Sequence, residues 1–251
     1  YTTFDYANLR LSSPRVTPDG EVTVSVDVTN TGGRAGDEVV QLYTHQQTSR
    51  DTLPNRQLRG FARVHLDAGE TATVELPLRA ADLAHWDVTR NQWVVESSTQ
   101  DIMVGGSSSD IRQRGSLRVD GEVIPPRDLG RDTAAQDFDE YRGVTLTDRS
   151  KASGTSVAAT GAGGWISFRD VELDTATGIS ALVSRADAGE TTVTLRLDDP
   201  ETGPVIGTVR VPSTGDKYDY TTIEAPLSGA SGRHDVYLVF AGPVNLASFH
   251  L

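Results

Sequence analysis

Two glycine-rich stretches are the places where nucleophilic or nucleotide-binding chemistry would first be expected in this sequence. A nucleophilic serine needs a strained turn such as Gly-x-Ser-x-Gly, and this pattern does not occur in the 251 residues. Residues 106–110 (GSSSD) lack the closing glycine, so we interpret them as a loop after a strand. Residues 161–165 (GAGGW) depart from the dinucleotide-binding fingerprint and no helical pattern follows them, which predicts a turn before a strand.

Histidines and carboxylates are the groups that could bind a metal or transfer protons. The histidines are never spaced as paired metal ligands, so we expect each of them to be structural. Hydrolysis of a glycosidic bond needs two carboxylates at a fixed separation, but 35 acidic residues offer many pairs and single out none. We interpret Asp137, Asp139 and Glu140 as a solvated acidic face and residues 198–200 (DDP) as a turn. The sequence therefore predicts no catalytic residue. The five histidines are His45, His65, His85, His234 and His250.

Aromatic and amide side chains remain, and they are the groups that proteins use to bind sugars. Aromatic rings stack on the apolar faces of sugar rings, and amides hydrogen-bond the hydroxyl groups. The candidates are Tyr218 and Tyr220, beside a turn at residues 213–217, and Asn245, in a predicted loop near the C-terminus. The alternative for each tyrosine is packing at a strand edge, and Trp165 is predicted to belong to the core.

Composition excludes several classes of partner. Lys and Arg number 23 against 35 Asp and Glu, which gives a net charge of −12, so nucleic acid is not an expected partner whereas neutral sugars are compatible. The chain has no cysteine, which excludes disulfides and thiolate ligands. No stretch approaches 18 consecutive apolar residues, so we expect no membrane-spanning helix. Because the sequence opens with Tyr1 and no leader pattern, we expect it to be a piece of a longer polypeptide.

The elements that would position these groups are almost all strands. Residues 21–30 (EVTVSVDVTN) place four valines on one side of a strand and polar residues on the other, as period two requires. Similar patterns and short turns continue to residue 104, with a long loop at residues 44–57 and one helical turn at residues 80–86. The sequence thus predicts a β-sandwich in the first half.

A stretch without strand periodicity separates the two strand-rich halves of the sequence. Pro125 and Pro126 lie in a charged, irregular stretch that predicts an extended connector. Six strand candidates follow, and they predict a second sandwich of the jelly-roll type. The fold expected is therefore all-β, with two β-sandwich domains in series. The six candidates cover residues 163–173, 179–186, 191–199, 204–212, 220–227 and 234–242.

Residues 22–43, 58–78 and 104–111 together resemble the fibronectin type III-like domain at the end of many family 3 glycoside hydrolases. The resemblance implies such an immunoglobulin-like domain at residues 1–120, with a linker at residues 121–133. It also implies that the catalytic α/β domains precede this chain and hold the nucleophile and the acid/base. The loop at residues 46–57 would then face the active site with Arg50, Asp51 and Arg56. The alternative for this loop is a mobile, solvated connector.

Residues 163–173, 193–227 and 232–251 resemble a family 6 carbohydrate-binding module, which implies such a module at residues 134–251. That family grips sugar between two aromatic rings beside an asparagine, and the asparagine position matches Asn245. The aromatic positions fall at Lys217, with Tyr218 one step along, and at Ala159, so the ring pair is absent unless Tyr218 replaces one member. The calcium ligands of the family fall at residues without carboxylates, so no cofactor is expected. These residues are Ala134, Gln136 and Ala247.

The two resemblances imply the accessory, non-catalytic C-terminal part of a secreted family 3 β-glycosidase of the β-glucosidase or β-xylosidase type. Its expected partners are the catalytic domains of the same enzyme and an oligo- or polysaccharide, with sugar contacts at Asn245, Tyr218, Lys217 and Tyr220. The alternative is a structural or homo-oligomerising region whose module has lost its ligand. A secreted adhesin is a third reading, but the sequence shows no cell-wall anchor.

Overall fold

The computed structural model describes residues 2–251, which fall into two units that divide between Ile124 and Pro125. The segment predicted as a linker, residues 121–133, is shared between them. Glu122 donates its backbone N–H to Val95 of the first unit, and Arg127 donates its backbone N–H to Asp170 of the second. No helix among residues 2–251 is both long and apolar enough to cross a membrane.

The first unit is a sandwich of two mainly antiparallel sheets with one shared core. One sheet has the order β1-β3-β6 and the other β2-β10-β9-β4-β5, while β7 and β8 form a separate hairpin. One short pair, β10 with β2, is parallel. The strands are β1 (Phe4–Leu11), β2 (Arg15–Val16), β3 (Glu21–Asn30), β4 (Gly36–Gln46), β5 (Gln57–Leu66), β6 (Thr71–Arg79), β7 (His85–Asp87), β8 (Gln92–Val94), β9 (Ser98–Ser107) and β10 (Asp110–Val119).

The predicted alternation of residues 21–30 is confirmed in β3. Val22, Val24, Val26 and Val28 are at most 1% exposed and lie in the core of the unit. Each buried β-branched side chain of this size contributes roughly 1.5–3 kcal/mol. The tight turn between β5 and β6 depends on Gly69, whose φ of 80° is readily adopted only by glycine.

Two details of the first unit differ from the sequence-based expectation. β4 runs on to Gln46, through residues predicted as loop, and its last inward side chains are the polar Thr44 and Gln46. Residues 80–86 form a short 3₁₀ helix, Ala80–Leu83, followed by β7. The helical turn therefore ends earlier than predicted, and Trp86 is an exposed strand residue.

The second unit is also a two-sheet sandwich, with all of its large core side chains in one cluster. One sheet has the order β13-β14-β21-β16-β19, with β11 paired to β21, and the other has the order β12-β15-β20-β17-β18. The strands are β11 (Thr133–Ala134), β12 (Glu140–Arg142), β13 (Val144–Asp148), β14 (Thr155–Ala159), β15 (Gly164–Glu172), β16 (Gly178–Ser184), β17 (Glu190–Leu197), β18 (Val205–Pro212), β19 (Thr221–Pro226), β20 (Arg233–Phe240) and β21 (Val244–His250).

The all-β prediction of two successive sandwiches is confirmed, but three placements in the second unit were wrong. Asn245 lies in β21 and not in a loop. Trp165 faces away from the core, because its neighbour Ile166 points inward along β15. Asp139 is not solvated: its carboxylate pairs with the buried Arg127, with 2.7 Å between Oδ1 and Nη2.

Candidate functional site

Asn245 is held in a fixed orientation by two neighbouring segments. Its strand β21 lies between β14 and β16, where Asn245 pairs with Ala158 on one side and Ser184 on the other. Its Nδ2 donates hydrogen bonds to Ser184 Oγ and to the Lys217 carbonyl, both at 3.2 Å. The Asn245 Oδ1 has no protein donor in the part of the chain that the structure describes, so it can accept a hydrogen bond from a ligand hydroxyl.

A pocket of about 460 Å³ opens beside Asn245. It is lined by parts of β13, β14, β16 and β21 and by residues of the turns that follow β14, β16, β18 and β20. None of its lining side chains is aromatic. The lining residues are Thr145, Leu146, Thr147, Ala158, Ala159, Thr160, Ser184, Arg185, Ala186, Asp187, Lys217, Pro243, Val244 and Asn245.

Of the four predicted sugar contacts, the structure brings only Asn245 and Lys217 into this pocket. The Lys217 carbonyl also accepts a hydrogen bond from Ser184 Oγ at 2.6 Å, which fixes the backbone there. The Lys217 ammonium lies 4.7 Å from the centre of the Tyr218 ring, a cation–π contact. Tyr218 is therefore adjacent to the pocket through Lys217, but its ring is not part of the lining.

Tyr220 is occupied by contacts inside the protein. Its hydroxyl lies 2.7 Å from Ser156 Oγ, at hydrogen-bonding distance, and the Arg149 guanidinium lies 6.0 Å from the centre of its ring. It does not line the pocket. These contacts agree with the packing alternative for this tyrosine.

Arg185 holds the rim of the pocket, a role that sequence reasoning missed. This buried side chain donates from Nη1 to the carbonyls of Asp187, Ala188 and Gly189 at 2.7–3.2 Å, and from Nε to that of Pro243 at 3.1 Å. A single guanidinium thus ties the turn after β16 to the start of β21. The only sequence signal is an arginine at the end of an apolar strand.

The loop predicted to face an active site is anchored inside the first unit. Arg50 Nη2 lies 2.8 Å from Asp87 Oδ1, and Arg50 Nε lies 3.1 Å from Asp51 Oδ1. The Arg50 side chain is only 4% exposed, so it points inward. Arg56 donates to the carbonyl of Ser108 and lies at the edge of a different surface pocket, with His45 and Arg114.

A pair of aromatic side chains lies on the outer face of the sheet that contains β15. Trp165 packs edge-on against Tyr237 of β20, with 5.3 Å between ring centres and an interplanar angle of 71°. Burial raises the pKa of the Tyr237 hydroxyl, with a further contribution from Asp235. Among residues 2–251 no group of three or more His, Cys, Asp or Glu side chains is arranged to hold a metal.

A segment of each unit matches a known protein family. Residues 38–108 match the fibronectin type III-like domain, and residues 134–251 match the carbohydrate binding module of family 6. A probable beta-glucosidase M of Aspergillus flavus is 38% identical over 138 residues, which cover 47% of this chain and 17% of that protein. A probable beta-glucosidase L of Aspergillus fumigatus is 42% identical over 134 residues, which cover 47% of this chain and 18% of that protein. The chain thus spans less than a fifth of the length of these relatives.

Each of two similar solved structures matches about half of this chain. CsCBM6-3 from Clostridium stercorarium, in complex with cellobiose, is 27% identical, with a TM-score of 0.46, and the match covers 51% of this chain and 97% of that one. The GH3 beta-glucosidase of Bifidobacterium adolescentis is 30% identical, with a TM-score of 0.46, and the match covers 50% of this chain and 18% of that one. The family matches and the two sandwiches agree in order along the sequence: the fibronectin type III-like domain matched at residues 38–108 lies in the first sandwich, and the family 6 carbohydrate-binding module matched at residues 134–251 covers the second.

Proposed function

We propose that this chain is the accessory, non-catalytic C-terminal part of a secreted β-glycosidase of family 3, of the β-glucosidase or β-xylosidase type. The β-glucosidase relatives and the match to a carbohydrate-binding module support this proposal. The first unit would buttress the catalytic domains, and the second would bind an oligo- or polysaccharide. The proposal includes secretion because an enzyme that acts on a polysaccharide encounters it outside the cell.

One observation carries the binding part of the proposal: the Asn245 amide is fixed through its Nδ2 while its Oδ1 is left to accept from a ligand. The pocket beside it, at about 460 Å³, falls within the range of roughly 300–1,000 Å³ typical of small-molecule sites. Bound carbohydrate would raise the concentration of substrate near a tethered catalytic domain. No cofactor is part of the proposal.

Calorimetric titration of the chain with cello-, laminari- and xylo-oligosaccharides tests this function. Binding of at least one series supports the proposal. Where more than one series binds, they should compete for the same site. If neither the three neutral series nor the same oligosaccharides carrying an acidic sugar produce heat, the proposed carbohydrate-binding function is wrong.

The absence of aromatic side chains from the pocket lining favours a second candidate function. In that case the module has lost its ligand, and the chain serves as a structural or oligomerising region. Sedimentation of the chain at increasing concentration would then show self-association, whereas titration with sugars would show nothing.

The loop at residues 46–57 is proposed to face the active site of the parent enzyme only through its exposed part. Arg50 and Asp51 are held in ion pairs inside the unit, which leaves Arg56 as the predicted residue nearest the surface. Arg56→Ala in the full enzyme is therefore the informative variant. An unchanged kcat/KM together with an unchanged melting temperature would remove Arg56 from that role.

A further inference from the structure

The pocket beside Asn245 carries a charge opposite to that of the chain. Two cationic side chains, Lys217 and Arg185, line it together with one carboxylate, Asp187. The whole chain has a net charge of −12. Fields between exposed charges are screened over about 8 Å at physiological salt, so the local excess of positive charge decides what the pocket attracts.

The Lys217 ammonium is available for a ligand. No carboxylate lies within ion-pair distance of its Nζ among residues 2–251, whereas surface arginines such as Arg233 and Arg210 pair with acidic neighbours. Two hydrogen bonds to its carbonyl fix its backbone, and the Tyr218 ring lies beneath its ammonium. The cation is thus held at the pocket without being neutralised.

Arg185 adds a second positive charge, and among residues 2–251 its side chain forms no ion pair. Its hydrogen-bond acceptors are the backbone carbonyls of the turn after β16 and of Pro243, which are neutral groups. Because these acceptors are neutral, they leave the positive charge of the guanidinium uncompensated. It therefore contributes positive potential to the pocket even though its N–H groups are directed at the backbone.

The lining offers hydrogen bonds and charge but no ring on which a sugar could stack. The polar side chains among the lining residues are the hydroxyls of Thr145, Thr147, Thr160 and Ser184, the Asn245 amide, and the charged groups of Lys217, Arg185 and Asp187. Without stacking, affinity must come from polar contacts, and charge-assisted hydrogen bonds are about twice as strong as neutral ones. A ligand with an anionic group would gain most from such a site.

We propose that the ligand of this module is an acidic glycan, whose uronic acid carboxylate pairs with Lys217 while a neighbouring hydroxyl donates to Asn245 Oδ1. This inference rests on the proposed carbohydrate-binding function and names its substrate class. Asp187, on the same rim, disfavours a ligand with closely spaced charges, so isolated uronic acid branches on an otherwise neutral chain fit best.

The test compares two sugars that differ only in the carboxylate-bearing branch. Xylotriose and xylotriose with one glucuronic acid branch are titrated into the whole chain by calorimetry at low salt. We expect the branched sugar to bind about tenfold more tightly, the effect of one charge-assisted hydrogen bond. This preference should shrink at 0.5 M NaCl, because salt screens the pairing.

Lys217→Gln should abolish the preference for the branched sugar, while Lys217→Arg should keep it. Lys151→Gln is the matched control, because it removes the only other lysine of the chain, outside this pocket. Equal binding of both sugars, or a preference that survives Lys217→Gln, overturns the acidic ligand but supports the proposed function. If neither these two sugars nor any neutral series binds, both are overturned.

Discussion

Arg50 and Asp87 form an ion pair across 2.8 Å, between a long loop and the β7–β8 hairpin of the fibronectin type III-like domain. The Asp87 carboxylate is completely buried and also accepts hydrogen bonds from Arg90 and from the backbone of Thr89. Burial alone would raise the pKa of Asp87, but the hydrogen bonds from Arg90 and Arg50 outweigh it, so that the pKa lies below its usual range. The loop is thereby fixed to the hairpin by a charged group that has no access to water.

Asp87→Ala should destabilise the first unit by roughly 3–5 kcal/mol, because it leaves the buried Arg50 guanidinium with one partner fewer. Urea unfolding monitored by Trp fluorescence measures this, since Trp86 and Trp93 lie on the same hairpin. Asp82→Asn is the control, because its partner Arg79 is exposed and little or no stability should be lost. A loss for Asp87→Ala no larger than for the control would contradict the role of the pair.

The strands that the sequence predicts are those whose inward positions are β-branched or aliphatic, such as β3 and β6. β1 escapes prediction because the chain bulges between Ala7 and Arg10, where Asn8 has a φ of 54°, and the alternation changes phase. The end of β4 is missed for another reason: Gln46 points inward and pairs with Gln100, so a buried polar contact looks like a loop in the sequence.

In the candidate site, too, the sequence identifies residues by their type and motif, but it does not reveal roles that depend on contacts between residues far apart in the chain. The resemblance to a family nominates Asn245 and Lys217, and the structure places both in one pocket. The part of Arg185 could not be predicted, because its acceptors include Pro243, far along the chain. The sequence predicts a solvated Asp139 because no local pattern shows that the Arg127 side chain reaches its carboxylate.

Asp137 is half-buried, and its pKa is shifted in the direction opposite to that of Asp87. Burial raises its pKa, and the charge of Arg127 offsets this only in part. A raised folded-state pKa means that the folded protein binds the proton more tightly, so Asp137 lowers stability once the pH rises above its unfolded pKa, about 3.9. Asp137→Asn should therefore stabilise the second unit at pH 7 and have little effect at pH 3. Thermal unfolding at both values measures this, and an equal gain at both would show that charge is not the cause.

Asn245→Ala should weaken carbohydrate binding by about 1–3 kcal/mol, the cost of losing hydrogen bonds within a site. Its melting temperature should change little, because Asn245 is only half-buried and Ser184 keeps its own hydrogen bond to the Lys217 carbonyl. Calorimetric titration beside differential scanning calorimetry separates the two effects. Ser248→Ala, at another half-buried position of β21, is the control. Unchanged affinity in Asn245→Ala would remove this residue from the site.

Arg185→Met should disturb both the pocket and the stability of the second unit. The methionine keeps much of the volume, but the carbonyls of Asp187, Ala188, Gly189 and Pro243 lose a charged donor. Hydrogen bonds to charged groups contribute about 1.5–3 kcal/mol, and several are lost together. We expect a lower melting temperature and, at temperatures where the variant is still folded, weaker sugar binding than in Arg210→Met, which removes an exposed arginine from β18. Loss of stability with full sugar affinity would show that Arg185 supports the fold without positioning the rim. In that case Asn245 and Lys217 would be kept in place by the hydrogen bonds that join Asn245, Ser184 and the Lys217 carbonyl.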